Sequence, residues 1–195
     1  MGKATVKRKT GETDINLVLS FGARFRSRKS GIKTPSGLLN HMLEEFAFHG
    51  GFSLKIKAVG DTGVDMHHTV EDIGMCLGEA VRKVTSAGKI KRFGSAVIPM
   101  DEALALVAVD VSGRPFLNFK VKFNKIRQAD FDYRLFEDFF KGFADKAGIT
   151  LHIISLAGRD NHHISESVFK AFGKSLSRAL EASPRKTLST KGVID

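Results

Sequence analysis

The chain has 195 residues, 42% apolar and 27% charged, an ordinary globular composition with enough length to bury a core. Lys and Arg number 31 against 21 Asp and Glu, a formal net charge of +10, so nucleic acid, acidic membranes and phosphorylated small molecules are all candidate partners. One cysteine, Cys76, excludes an internal disulfide framework and fits a reducing, cytoplasmic setting. No apolar run approaches the roughly 20 residues of a spanning helix, and the basic start, Lys3 to Lys9, lacks the apolar stretch of a signal peptide.

Residues 12–20 alternate at about period 2 and predict a strand. Residues 21–37 are rich in Gly, Ser, Lys and Arg and predict a loop or hairpin end, with basic side chains concentrated at Arg24, Arg26, Arg28, Lys29 and Lys33. Residues 37–49 predict a helix with Leu39, Met42, Leu43 and Phe46 on one side, ended by Gly50-Gly51. Residues 52–59 alternate as a half-buried strand, 60–63 turn, and 66–86 predict a long helix carrying Ile73, Leu77, Ala80, Val81 and Val84. The pattern then restarts: strands over 102–110 and 116–123, a helix over 133–147, a strand over 149–156 and a helix over 161–182. A polar tail begins at Ser183.

The restart is a duplication. An offset of 97 residues places Met42 and Leu43 on Phe139 and Phe140, Phe46 on Phe143, Gly51 on Gly148, Leu54 on Leu151 and Ile56 on Ile153. An offset of 95 places His67-His68 on His162-His163, Glu71 on Glu166, Leu77 on Phe172 and Gly78 on Gly173. Apolar periods agree easily by chance; a His-His-x-x-Glu signature inside them does not. The expected architecture is α+β, two homologous halves packed as one unit, 1–92 and 93–195, the second with the closing tail. Each half is expected to be a small, mainly antiparallel sheet with two helices on one face.

On a helix, Glu71 shares a face with His67 or His68, and Glu166 with His162 or His163. Adjacent histidines are about 100° apart at ~3.6 residues per turn, so the two of a pair suit two separate ions, each shared with another element. Imidazole and carboxylate donors without thiolate favour Mn, Fe or Zn, and open positions suit catalysis. Asp65, Asp72 and Asp160 are candidate acceptors for the second ring nitrogens. The offset pairs His41 with Asp138, so Asp138 is expected to bring a carboxylate where His41 brings an imidazole. His49 and His152 lack such a motif, and His152 reads equally as site wall or surface.

These residues resemble the imidazoleglycerol-phosphate dehydratase family. The matching segments are Glu12 to Ile15, Asn40 to Leu43, Asp65 to Asp72, Arg92 to Gly94, Pro99 to Glu102, Ser112 to Pro115, Asn161 to Glu166, Phe169 to Phe172 and Ser189 to Gly192, nearly the whole chain. The chain departs from the family pattern at Asn40 and Met66, where acids are common, and at Asp138, where histidine is common. The resemblance implies a duplicated fold of the ribosomal protein S5 domain 2-like kind, and dehydration of D-erythro-imidazole-glycerol 3-phosphate to imidazole acetol phosphate in histidine biosynthesis. It also implies a pair of manganese ions per site and trimers assembled into a 24-subunit shell, with ligands from neighbouring subunits.

Carried over by position, the implied metal ligands are His41, His67, His68, Glu71, His162, His163 and Glu166, with Asp138 added by the offset. Glu12, Glu71 and Glu166 are the expected proton-transfer carboxylates, Glu12 foremost. Substrate contacts are expected from Glu12, His41, His49, His67, Arg92, Arg114, His162, Lys170, Ser189, Thr190 and Lys191, the basic ones and the hydroxyls holding phosphate. A basic RNA-binding module is the rival class, but one tyrosine and no tryptophan argue against a stacking surface. The partners expected are therefore the phosphorylated imidazole and further copies of the chain, with no nucleic acid and no membrane. A metal-binding paralogue without catalysis is a third reading.

Overall fold

Strict alternation builds the first sheet. A computed structural model describes residues 2–22, 31–63, 65–85, 89–128 and 131–183. In it β1 (Lys3–Lys9), β2 (Thr13–Phe21), β3 (Gly31–Lys33) and β4 (Phe52–Gly60) lie in the order β1-β2-β4-β3. The first three neighbours are antiparallel and β3 runs parallel to β4. Ala4, Val6, Ile15, Leu17, Leu19, Leu54 and Ile56 point inward and are buried. The sequence reading missed β1, because only Ala4 and Val6 mark its inner face among Lys3, Lys7, Arg8 and Lys9.

The second half repeats this plan. Strands β5 (Phe93–Met100), β6 (Ala103–Asp110), β7 (Phe116–Lys120) and β10 (Thr150–Ala157) lie in the order β5-β6-β10-β7, with β7 parallel to β10. Edge strand β5 was also missed; Gly94 and Pro99 interrupt its pattern, and proline is tolerated on an edge. The strand expected over 116–123 stops at Lys120, and a two-residue pair, β8 (Arg127–Gln128) and β9 (Phe131–Asp132), follows. The matching strand order in both halves supports the duplicated α+β fold read from the offsets.

Helices α1 (Gly37–Gly50), α2 (His67–Thr85), α3 (Leu135–Ala147) and α4 (Asn161–Ala179) fall where periodicity placed them, α4 ending three residues short of the expected Ala182. Ser36 caps α1, accepting from the Leu39 N–H at 3.2 Å, and Gly51 closes it in the left-handed conformation at φ 67°. Each half's first helix packs on the other half's second: α1 on α4 and α3 on α2. Both crossings need a glycine. A Cβ on Gly78 would lie 2.4 Å from the Phe143 carbonyl oxygen, and one on Gly173 would lie 2.4 Å from that of Phe46. Phenylalanines fill the space between, with the Phe172 ring 4.8 Å from Phe46, 5.2 Å from Phe140 and 4.9 Å from Phe143. The helices thus form an inner layer with one sheet outside each pair. No helix among the described residues is long and apolar enough to cross a membrane.

Candidate metal centre and active site

Each paired-histidine segment opens a helix. Asp160 caps α4, its Oδ1 accepting from the His162 N–H at 2.7 Å and the His163 N–H at 3.4 Å. Asp65 accepts from the His67 N–H at 2.7 Å in the same way. The adjacent rings then diverge: His67 and His68 stand at 88°, His162 and His163 at 77°. Each member of a pair faces different partners, as the 100° spacing predicts.

At the start of α4, three donors converge. His162 Nε2 lies 3.4 Å from Glu166 Oε2, and His41 Nε2, brought in by α1, lies 3.7 Å from the same oxygen. One donor atom from each residue falls within 4.8 Å of the others. Lys170 Nζ binds the other oxygen, Glu166 Oε1, at 2.6 Å and lies 3.5 Å from Glu45. Burial alone would raise the Glu166 carboxyl; the Lys170 ammonium, with His41 and His162, brings it below the usual range. Burial lowers the Lys170 ammonium in turn, and its bonds to Glu166 and Glu45 more than restore it.

The matching set at the start of α2 is held less closely. His67 Nε2 lies 3.9 Å from Glu71 Oε2, while His67 Nδ1 lies 3.5 Å from Asp138 Oδ2. Asp138, on α3 of the second half, therefore stands in the place the offset assigned it, with a carboxylate where the other set has His41 of the first half.

The outer histidines have their own acids. His68 Nδ1 is 3.0 Å from Asp61 and 3.8 Å from Glu12; His163 Nδ1 is 2.8 Å from Glu102. The hydrogen bond to Asp61 raises His68, and that to Glu102 raises His163. Glu102 is held down to about 2 by the Asp160 N–H, then by His163 and the Arg159 N–H. The acceptors expected from sequence do other work. Asp65 and Asp160 cap helices, and buried Asp72 accepts from Thr13 Oγ1 at 2.6 Å and pairs with Arg8 at 2.8 Å. Asp61 and Glu102 take the orienting role instead; the signal missed was that Glu12 and Glu102 occupy equivalent hairpin ends, β1–β2 and β5–β6.

The expected phosphate-holding residues are divided. Lys170 lies beside the second triad. Arg92, at φ 72°, donates its N–H to the Ala179 carbonyl at the far end of α4 and pairs with Asp110 through Nε at 2.7 Å. With ~1.5 Å rise per residue, His162 and Ala179 are about 25 Å apart. Arg114 lies at that same end, its carbonyl accepting from Thr150 Oγ1 at 3.2 Å. His49 lies 3.2 Å from Glu45, lowered by its burial against that carboxylate's pull. His152 is on the outer sheet face, 3.1 Å from Asn118 Nδ2. Ser189, Thr190, Lys191, Arg24, Arg26, Arg28 and Lys29 lie outside the described residues.

The profile described as imidazoleglycerol-phosphate dehydratase matches residues 34–176. The chain belongs to this family. A relative of that name from Thermodesulfovibrio yellowstonii is 49% identical, with 100% of both chains covered. One from Acetivibrio thermocellus is 47% identical over 98% of each. Among solved structures, the Pyrococcus furiosus enzyme in complex with (S)-C348 superposes with a TM-score of 0.84 at 41% identity, covering 96% of this chain and 99% of that one. The Staphylococcus aureus enzyme superposes at 0.83 and 38% identity, covering 93% and 100%.

Proposed function

We propose that the chain is a hydro-lyase that dehydrates D-erythro-imidazole-glycerol 3-phosphate to imidazole acetol phosphate in L-histidine biosynthesis. Family membership over the full chain supports the reaction; the convergence of His41, His162 and Glu166 is the observation that carries the chemistry. Two imidazole nitrogens around one buried carboxylate oxygen fit a borderline divalent ion. Manganese is the metal proposed, two ions per site, held by His41, His162 and Glu166 and by His67, Glu71 and Asp138, with His68 and His163 completing the sets. When bound, the ions supply Lewis acidity to the two nitrogens of the substrate imidazole.

The reaction removes a carbon-bound proton that no carbonyl acidifies, and a hydroxyl that leaves as water. Glu12 is the residue proposed to take the proton. Its side chain is 56% exposed beside His68, whereas Glu166 is clasped by Lys170. Its position is fixed by its N–H on Thr10 Oγ1 at 3.1 Å and its carbonyl accepting the Asp61 N–H at 3.0 Å. Arg92, Arg114, Lys170, Ser189, Thr190 and Lys191 are proposed to hold the phosphate.

Arg92 and Arg114 stand at the end of α4 opposite the triad of their own chain, about 25 Å along the helix axis, so the site is proposed to close only between copies. The outer face of the second sheet favours self-association: Phe93, Val97, Phe116 and Leu156 are each more than half exposed there. Trimers assembled into a 24-subunit shell are the proposed form, in the cytoplasm. Chelation is expected to abolish turnover of the imidazole substrate and to loosen the assembly, with manganese restoring both. Full turnover by strictly metal-free protein overturns the proposal.

A further inference from the structure

The two triads sit at equivalent points of a duplicated frame, yet they differ in composition, charge and geometry. Asp138 replaces the imidazole that His41 contributes. Lys170 follows Glu166 by one turn and binds its carboxylate, while Met75 holds that position after Glu71. Glu71 and Asp138 together carry two formal negative charges, with no ammonium bound to either among the described residues; Glu166, Glu45 and Lys170 together carry one. The Glu166 side chain is 9% exposed and that of Glu71 41%. His41 and His162 both turn Nε2 to one Glu166 oxygen, so these donors converge before any ion arrives. His67 turns its two nitrogens to different carboxylates, so only one of them faces each acid.

We propose that the two metal positions of this chain are inequivalent. Of these two manganese positions, His41–His162–Glu166 binds its ion tightly and takes a late transition-metal ion in preference when one competes, and His67–Glu71–Asp138 holds manganese in ready exchange, with Asp138 deciding the difference. The inference rests on the metal reading above. Imidazole-rich sets favour ions late in the first transition row, and carboxylate-rich sets favour magnesium and manganese. A partner that orients a ligand, as Lys170 orients Glu166, changes metal affinity by about 10- to 100-fold. The remaining donors, His68 and His163, are the same residue type, so they do not cancel the difference.

Nickel titration of the assembled, metal-stripped protein, followed by calorimetry, tests this. Two steps of one ion per chain are expected, separated by about tenfold or more in affinity. In equilibrium dialysis against nickel and manganese together, elemental analysis is expected to find one of each per chain. Asp138→His is expected to merge the two nickel steps into one step of two ions. His41→Asp is expected to weaken the tight step toward the other. A single step of two identical ions in the native protein overturns the inference and leaves the metal reading standing, and this result needs no variant. Two steps unchanged in an assembled Asp138→His protein also overturn it. Failure to bind any metal overturns both.

Discussion

The His41–His162–Glu166 triad is built around a buried carboxylate with an ammonium on one oxygen and two imidazoles on the other; the His67–Glu71–Asp138 triad is built around an imidazole lying between two half-exposed carboxylates. The backbone beneath them is nearly the same, strand for strand and helix for helix. The difference shows that duplication preserves the placement of side chains, and that three substitutions, His41 against Asp138, Lys170 against Met75 and Glu45 against Gly142, suffice to give the two copies different electrostatics.

The largest expected effect breaks that comparison directly. Glu166→Gln is expected to lower kcat/KM by more than about a hundredfold, because it removes the shared acceptor of two histidines and of Lys170, while Glu71→Gln costs about tenfold. Equal losses in steady-state assays would mean that the two triads contribute alike. The frame, in contrast, should respond symmetrically. Gly78→Ala and Gly173→Ala each force a Cβ to within 2.4 Å of a carbonyl oxygen, with a backbone nitrogen at 3.0 Å in both cases. Each is expected to lose about 1–3 kcal/mol in denaturant unfolding, and a large disparity would show that the two crossings are not equivalent.

The smallest effect sharpens the outer shell. Glu102 is depressed from 4.5 to about 2 in the folded chain, so it stabilises the fold above its unfolded value and that stability is lost as pH falls through the folded one. Glu102→Gln is expected to melt at lower temperature than the native protein at neutral pH. The gap should close as pH falls from about 4.5 toward 2. A gap unchanged at low pH would mean that the carboxylate charge is not what Asp160, Arg159 and His163 recognise.

Much of this was legible from residue order. Period 2 over 12–20 and 52–59, helical spacing over 37–49 and 66–86, and their return one offset later placed all four helices and the central strands. Strand β1 escaped because lysines line its outward face, and β5 because Gly94 and Pro99 disguise an edge strand. The histidine and carboxylate positions that converge were legible because a helix converts sequence spacing into shared faces; Asp138 was found by offset alone and does face His67. Asp61 and Glu102 were not legible as ring partners, because turns carry no period from which direction can be read.

Residue order by itself therefore determined the duplication, the helix-borne histidines and the family, since these follow from local periodicity and from a repeated motif. Tertiary structure alone decided which nitrogen faces which acid, that Lys170 clasps Glu166, and that Arg92 sits at the opposite end of α4 from the triad. Those facts depend on how α1 crosses α4 and how hairpin ends meet helix starts, long-range contacts that no local pattern encodes.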